Sequence, residues 1–557
     1  MKRKHIRKDA STECGAAYSC VPPRFRAPAI AWRRAFGHHR FMASTSYPLE
    51  LLTTVQMAEA DRRTIAGGVP SMTLMENAAA ALAGVISQIL QKTSGRRILV
   101  LCGPGNNGGD GFVAARLLRS QRYKVRVAAL TPPGELRGDA ARAAAAWSGE
   151  TTSIWDADFT GVDLVIDALY GTGLSRDLDA RTISLVSRLN EWRRTTGQKV
   201  ISVDIPSGVD GTTGGIRGAA VEADVTVTFF RLKTGHLLLP GRLLCGRLVC
   251  AHIGIRPAAI ESLGVDAFVN EPTLWLTRLP LPRIEGHKYT RGHAAVVSGG
   301  PSFTGAARLA ALAALRAGAG LVTLASPQEA LAINASALTS VMVRVADGAE
   351  GLTALLADRR MNVVAIGPGL GVGETNRAQV EAALASWGGR RAVVLDADAL
   401  TCFAEDPERL SRAIGAATGD VVMTPHAGEF ARLFPESLGT GSKLDQTRAA
   451  AQSSGAVILH KGPDTVIAAP DGRAAILPEA SPWLATAGSG DALTGIVAGL
   501  MAQEMEGFFA ACCAAWMHAR AASLFGPGLI ADDLIATLPL VWRELSGVAP
   551  DGIRDSG

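Results

Sequence analysis

The sequence predicts an α/β protein of two domains, and three observations carry that reading. Its 557 residues exceed what one ordinary hydrophobic core holds. Short apolar runs alternate with helix-like stretches in two separate series, the pattern of parallel sheets with helices on both faces. Between the series lies a proline-containing stretch, Glu271-Pro272 through Leu279-Pro280-Leu281-Pro282-Arg283, which reads as a boundary. The expected domains are 46–265 and 283–547, with 266–282 as a linker.

Hydrophobic residues make up 48% and charged residues 19% of the chain, and the formal charge is only +5. Much of that excess lies before residue 42, in Lys2, Arg3, Lys4, Arg7, Lys8, Arg24, Arg26, Arg33, Arg34 and Arg40. A near-neutral body offers no electrostatic case for nucleic acid. The 8 cysteines form no CxxC pair and no metal-like spacing with histidine, so reduced, buried thiols in a cytoplasmic protein are expected. No apolar run of membrane-spanning length is expected. Residues 1–45 are basic and aperiodic. They read as a disordered extension, with a transit-like peptide or a true start at Met42 as alternatives.

The ordered pattern begins near residue 50. Leu51–Ala66 reads as a helix stopped by Gly67-Gly68, and Ser71–Leu90 as a second helix. Strands are expected at Ile98–Cys102, Lys124–Leu130, Asp163–Ala168, Val200–Asp204, Val225–Phe230 and Leu248–Ile253. The second series gives Ala294–Ser298, Leu321–Ala325, Val363–Gly367, Ala392–Asp396, Val421–Thr424 and Val457–Lys461. A hairpin follows, Thr465–Ala469 and Ala474–Leu477, turning at Asp471-Gly472. In such sheets functional residues lie just past the carboxyl ends of the strands.

Three strand ends of the first series are suggestive. The first runs into Gly103-Pro104-Gly105-Asn106-Asn107-Gly108-Gly109-Asp110-Gly111 and then a helix. That is a phosphate cradle by geometry but not the GxGxxG dinucleotide spacing. The second ends in Asp167-Ala168-Leu169-Tyr170 and Gly171-Thr172-Gly173-Leu174-Ser175-Arg176-Asp177, where the Arg is placed to reach a phosphate. The third ends in Asp204-Ile205-Pro206-Ser207-Gly208. Together they offer amides, carboxylates and a hydroxyl to one crevice.

These motifs make residues 50–260 resemble the NAD(P)H-hydrate epimerase family, the YjeF N-terminal domain. The resemblance implies a Rossmann-like three-layer αβα fold, a hydrated NAD(P)H substrate and one potassium ion. Asn106, Asn107, Gly108, Gly109 and Asp110, with Gly171 through Asp177, would hold the nucleotide. Asn107, Asp167 and Ser207 would ligate potassium through oxygen, and Asp204 would contact the hydrated ring as its acid/base. Epimerisation at C6 needs C–O cleavage and re-addition, which a placed proton donor and acceptor accelerates.

In the second series the stretch Ala485-Thr486-Ala487-Gly488-Ser489-Gly490-Asp491 runs into an apolar helix-like segment, Ala492–Met501. Converging amides and a helix N-terminus form a site for a transferring phosphoryl group. Asp491, in the first turn, is placed to take a proton from an attacking hydroxyl. A plain glycine turn with an N-terminal acid is the alternative. Gly299-Gly300-Pro301-Ser302-Phe303-Thr304-Gly305-Ala306-Ala307, Gly367-Pro368-Gly369, Asp396-Ala397-Asp398, Thr424-Pro425-His426 and Lys461-Gly462-Pro463-Asp464-Thr465 follow successive strands. Their recurrence at strand ends points to a nucleotide and substrate crevice.

Residues 283–545 resemble the ribokinase-like ADP-dependent NAD(P)H-hydrate dehydratase family. The resemblance places Ala307, Gly369, His426 and Asp491 at the hydrated nicotinamide nucleotide. It places Lys461, Gly462, Pro463, Asp464, Thr465 and Gly490 at ADP, with Mg2+ accompanying it. Ala427 stands where the family often has Pro, and Ala487 where it often has Gly; neither change removes a donor or a charge. The implied chemistry is phosphorylation of the C6 hydroxyl of the S form, then elimination to NAD(P)H, AMP and phosphate, while the first domain converts the R form. Two alternatives stay open: a ribokinase-fold small-molecule kinase, and a non-enzymatic protein whose first domain is a binding module. Small-molecule substrates and a homo-oligomer are expected.

Overall fold

The computed structural model describes residues 48–385 and 390–548, and the basic extension read over 1–45 lies outside them. The first sheet has seven strands in the spatial order Thr151–Ser153, Lys124–Ala129, Arg97–Cys102, Leu164–Ala168, Lys199–Val203, Val225–Phe229 and Arg247–Ala251. Every pairing in it is parallel. Its central strands Leu164–Ala168 and Val225–Phe229 are buried along their whole length because helices cover both faces. Each predicted strand is present within one or two residues. The edge strand Thr151–Ser153 was not legible, since its three polar residues are largely exposed and carry no apolar signal.

The first helix starts at Thr54, not Leu51. The Thr53 hydroxyl accepts from Gln56 N and the Gln56 side chain accepts from Thr53 N, a capping box. This frees Leu51 and Leu52. Glu50–Leu51 forms a short strand against Ala267–Val269, and Leu52 bridges to Lys233.

The second sheet has eleven strands among the described residues. From Val457–His460 through Val421–Met423, Ala392–Leu395, Val363–Ile366, His293–Val297 and Leu321–Ser326 to Met342–Val345 it is parallel. On the other side the predicted hairpin adds Val466–Ala468 and Ala474–Ile476 in antiparallel fashion. Gly472, at φ +96°, makes its turn. Ala267–Val269 and Glu50–Leu51 then complete the edge.

Segment 266–282, expected as a linker, also contributes a strand and buried side chains to the second sheet's edge. Beyond its strand, Trp275 and Asn270 are fully buried. Trp275 Nε1 donates to Asn270 Oδ1 at 3.1 Å, and Asn270 Nδ2 donates to Cys512 O at 2.9 Å. Three strand residues are too few to show a period, and Pro272 starts a helical turn instead of ending one. The halves also share a hydrophobic cluster: Leu51, Leu232, Leu237 and Leu238 pack with Val364, Ile366, Ala474 and Ile476.

Two helices organise the C-terminal layer. Ser489–Ala502 lies backbone-close on Thr304–Arg316: a Cβ on Gly495 would stand 2.1 Å from Ala310 O, and one on Gly499 2.4 Å from Ala314 O. That contact sets where the helix N-terminus points. Gly507–Phe525, with 19 residues at mean hydropathy 1.2, is long and apolar enough to cross a membrane, contrary to the sequence expectation. Here it is a core helix, 72% of its apolar stretch buried inside the protein, and a helix covered on all sides is apolar all round.

Candidate functional site

The glycine loops of the first sheet touch each other. A Cβ on Gly103 would stand 1.7 Å from Leu169 O, and one on Gly108 would stand 2.0 Å from Gly103 O. The helix Asn106–Ser120 begins directly after Gly105, so Asn106, Asn107 and Gly108 open its first turn with free amides, and Gly109 N makes the first helical bond, to Gly105 O at 3.0 Å. Beside it lies a cavity of about 530 Å³, lined by Asp61, Asn106, Asn107, Asp110, Asp204 and Lys233 and by the 171–176 loop. Of the predicted residues, Gly171, Thr172, Gly173, Leu174, Ser175 and Arg176 line it and Asp177 does not. Gly108 and Gly109 are packing positions; Gly109 lies against Met75. A larger open groove of about 760 Å³ near Arg97 and Trp192 lies at the amino ends of the strands and holds none of the motif residues.

Asp204 sits at φ +65°, a left-handed conformation uncommon for a residue with a Cβ. Its Oδ1 accepts from Lys233 Nζ at 2.7 Å and from Thr228 Oγ1 at 3.0 Å, while Oδ2 accepts from Thr172 N at 3.2 Å. His236 Nδ1 accepts from Lys233 N at 2.9 Å, so the network assigns the ring proton to Nε2, which lies 2.8 Å from Asp204 O. Burial, aided by Lys233, pushes His236 down to about 4, so it is neutral near pH 7. Burial pushes the Asp204 carboxyl up, but Lys233 more than offsets it and holds the group well below the usual carboxylate range. The sequence reading missed Lys233 and Asp61. Neither had a local signal: Lys233 follows the strand Val225–Phe229 with Arg231 nearer to it, and Asp61 lies within a helix.

Asp167 is fully buried behind this cavity. Its carboxylate accepts from Ser202 Oγ at 2.8 Å, Ser207 N at 2.9 Å, Ser207 Oγ at 2.6 Å and Leu169 N at 3.3 Å. Ser207 Oγ lies 3.1 Å from Tyr170 O. Asn107 Oδ1 and Asp204 Oδ2 both face Gly171: a Cβ there would stand 3.0 and 3.2 Å from them. Asn107 Nδ2 is buried with no hydrogen-bond partner. Turning that amide over puts a carbonyl oxygen at the orphan position, where a cation satisfies it. Donors that are all oxygen, with one formal charge, fit a monovalent ion better than a divalent one.

In the second sheet Gly369, Asp396 and His426 follow neighbouring strands. A Cβ on Gly299 would stand 1.7 Å from Gly369 O, so these two loops also touch. Ala307 is fully buried in the first turn of the helix Thr304–Arg316. His426 caps the helix Ala427–Leu433: its Nδ1 accepts from Gly428 N at 3.0 Å and Glu429 N at 3.3 Å, and Glu429 Oε2 accepts from His426 N at 2.8 Å.

Gly488 caps the helix Ser489–Ala502 at φ +83° without a side-chain bond; Ser489 N donates to Thr486 O at 3.4 Å, and the amides of Gly490 and Asp491 remain open to an anion. Gly490 is helical; a Cβ there would stand 3.5 Å from Lys461 Nζ and 3.8 Å from Asp396 Oδ2, so it leaves space more than it bends the chain. Asp396, which the sequence reading placed at a strand end without a role, joins the parts. It accepts from Lys461 Nζ and from Thr494 Oγ1, each at 2.7 Å. Burial, and then Asp396, push the Asp491 carboxyl up to about 6 despite Lys461. His518 Nε2 lies 2.9 Å from Ser489 O and steadies the turn. In the 461–465 loop, Thr465 Oγ1 donates to Gly462 O at 2.7 Å, and Asp464 accepts from Lys443 Nζ at 2.8 Å.

Two doubly wound sheets, each with open helix-terminal amides beside a buried carboxylate–lysine pair, define a two-centre α/β enzyme built for phosphorylated ligands. A family model described as YjeF-related protein N-terminus matches residues 71–235, and one described as NAD(P)H-hydrate dehydratase matches residues 294–538. The bifunctional NAD(P)H-hydrate repair enzyme of Moorella thermoacetica is 37% identical over 526 residues, covering 89% of this chain and 97% of its own. That of Pyrobaculum aerophilum is 36% identical over 529 residues, covering 89% and 99%. The crystal structure of the ADP/ATP-dependent NAD(P)H-hydrate dehydratase from Bacillus subtilis, with ATP and Mg2+, is 28% identical, covers 50% of this chain and 98% of that one, and has a TM-score of 0.43. The chain belongs to the family of bifunctional NAD(P)H-hydrate repair enzymes, with an epimerase-type half and a dehydratase-type half.

Proposed function

We propose that the C-terminal half dehydrates the S form of hydrated NAD(P)H with ADP as phosphoryl donor, and that the N-terminal half interconverts the R and S forms. The observation that carries the first step is Asp491 beside the open amides of residues 490 and 491, with the Lys461–Asp396 pair next to it. A carboxylate pushed up to about 6 is a fitting base near neutral pH. Asp491 takes the proton of the C6 hydroxyl as its oxygen attacks the β-phosphorus, and the bond to the AMP oxygen breaks. The helix amides balance the charge on the transferring group. The C6–O bond then breaks with its electron pair leaving on phosphate. Loss of a proton from C5 restores the ring.

Lys461–Thr465 and Gly490 would hold ADP, and Gly369, His426 and the turn above Ala307 the nicotinamide nucleotide. Among the described residues no group of three or more His, Cys, Asp or Glu forms a metal cage. Mg2+ would arrive with the phosphates, as that ion usually does. In the N-terminal half Asn107, Asp167 and Ser207 would hold potassium, placing the 171–177 loop over the nucleotide. Asp204 and the 106–110 turn would hold the hydrated ring and its phosphates.

The test is purified protein with hydrated NADH and ADP, following restored NADH absorbance and AMP, with ATP replacing ADP in a parallel arm. Stoichiometric NADH and AMP are expected; a persisting phosphate ester would mean a kinase instead.

A further inference from the structure

The epimerase cavity contains a carboxylate that no motif announced. On the helix Thr54–Ala66, Met57, Asp61 and Ile65 all line the cavity. Their spacing of four puts them on one stripe of the helix, with Asp61 between two apolar side chains. The start of this helix is tied to the Lys233 segment: Leu52 N donates to Leu232 O at 3.0 Å, and Thr234 N donates to Leu52 O at 3.1 Å. Asp61 and the Asp204–Lys233 pair thus belong to one rigid frame and face the same space.

The charges in that space do not balance if every carboxyl is ionised. Asp61, Asp110, Asp139 and Asp204 line it, against Lys233 and Arg176. Lys233, 1% exposed, is committed to Asp204 at 2.7 Å. Asp204 is thereby a poor proton carrier, since taking a proton would leave Lys233 buried without its partner. The epimerisation needs a group that gives a proton and takes it back. It also needs a fixed negative charge, because loss of water from C6 leaves the ring as a cation.

We propose that Asp61 is the proton donor and acceptor of C6 epimerisation and that Asp204, held by Lys233, is the fixed anion facing the ring cation. This rests on the epimerase reading of the N-terminal half. Asp61 protonates the C6 hydroxyl, and the C6–O bond breaks with its pair leaving on water. The N1 lone pair closes a C6=N1 bond. Water adds to the other face of C6, and the Asp61 carboxylate recovers the proton. Burial pushes Asp61 up to about 6, with Asp204 raising it and Lys233 lowering it. Asp110, raised further by burial and by Asp204 and Asp61, is half-buried on the helix Asn106–Ser120 and lines the same cavity. Asp139 and Arg176 are the other charged groups on the cavity wall.

The experiment is NMR exchange between the C6 epimers of hydrated NADH, without ADP, on the full chain and its Asp61→Asn and Asp61→Glu variants. Substrate affinity is measured by titration and folding by thermal melting. Asp61→Asn should lose about 10²–10⁴-fold in exchange rate with substrate affinity changed by less than a few-fold. Asp61→Glu should recover part of the rate. The wild-type rate should be level below about pH 6 and fall about ten-fold per unit above it, as the donor proton is lost; this limb should vanish in Asp61→Asn. An Asp61→Asn protein exchanging within three-fold of wild type, or one that loses binding instead of turnover, overturns the assignment. A wild-type protein with no exchange above the protein-free rate overturns the epimerase reading itself, and this assignment with it.

Discussion

The backbone amide of Leu239, in the N-terminal half, donates a 3.0 Å hydrogen bond to Asp464 Oδ2, in the 461–465 loop of the C-terminal half. Asp464 Oδ1 is held from its own side by Lys443, so one carboxylate staples the halves together. Arg242 Nη1 adds a bond to Pro463 O at 2.5 Å. A segment from Lys233, on Asp204, to Arg242, on Pro463, thus runs between the two candidate centres.

Arg242→Ala removes a charge-assisted bond to that loop. The expected result is a rise of about 5–30-fold in KM for ADP, with kcat and epimer exchange nearly unchanged. Steady-state kinetics in ADP check it; an unchanged KM would mean that the loop is set by its own half alone.

Asp491→Asn keeps the size of the side chain and removes the proton acceptor, so dehydration should fall about 10²–10⁴-fold. Asp491 acts as a carboxylate with its value pushed up to about 6. Wild-type kcat/KM should therefore be full above about pH 6 and fall as pH drops through that value. Asp396→Asn removes a negative neighbour and frees Lys461, both of which favour the ionised form. Its acid limb should move to lower pH, measured as a pH–rate profile.

Trp275→Ala empties a fully buried site and orphans Asn270 Oδ1. About 3–5 kcal/mol of stability should be lost, read by denaturant unfolding. A fragment beginning at 283 lacks this residue and the strand Ala267–Val269. It should be less stable than one beginning at 265.

Lys233→Met leaves Asp204 buried without its cation and should cost about 3–5 kcal/mol. The double variant Lys233→Met/Asp204→Asn should recover much of that. Thermal melting of the three proteins decides, and equal losses in the single and double variants would show that the pair is not the cause.

Replacing potassium by a large organic cation such as tetramethylammonium should slow epimer exchange, and Asp167→Asn should slow it even with potassium present. ADP-dependent repair of the S form should not respond to either change. Exchange rates indifferent to the cation would remove potassium from the account.

By itself the sequence determined the two α/β series, most of their strands within a residue or two, and the strand ends that carry the chemistry; the short edge strands such as Thr151–Ser153 and Met342–Val345 it did not show. Apolar runs and glycine turns are local signals, set by burial on both faces and by backbone freedom. Local capping decided the start of the first helix, because Thr53 and Gln56 satisfy each other. Tertiary structure decided what short or polar elements do. Ala267–Val269 is too short to show a period, yet it is a strand because Ala474–Ile476 offers it an unpaired edge. It also decided which charges matter: Asp61 on a helix, Lys233 after a strand and Asp396 at another strand end lie far apart in the chain. Their roles come from burial and from the neighbours that folding brings to them, which no single stretch of sequence encodes.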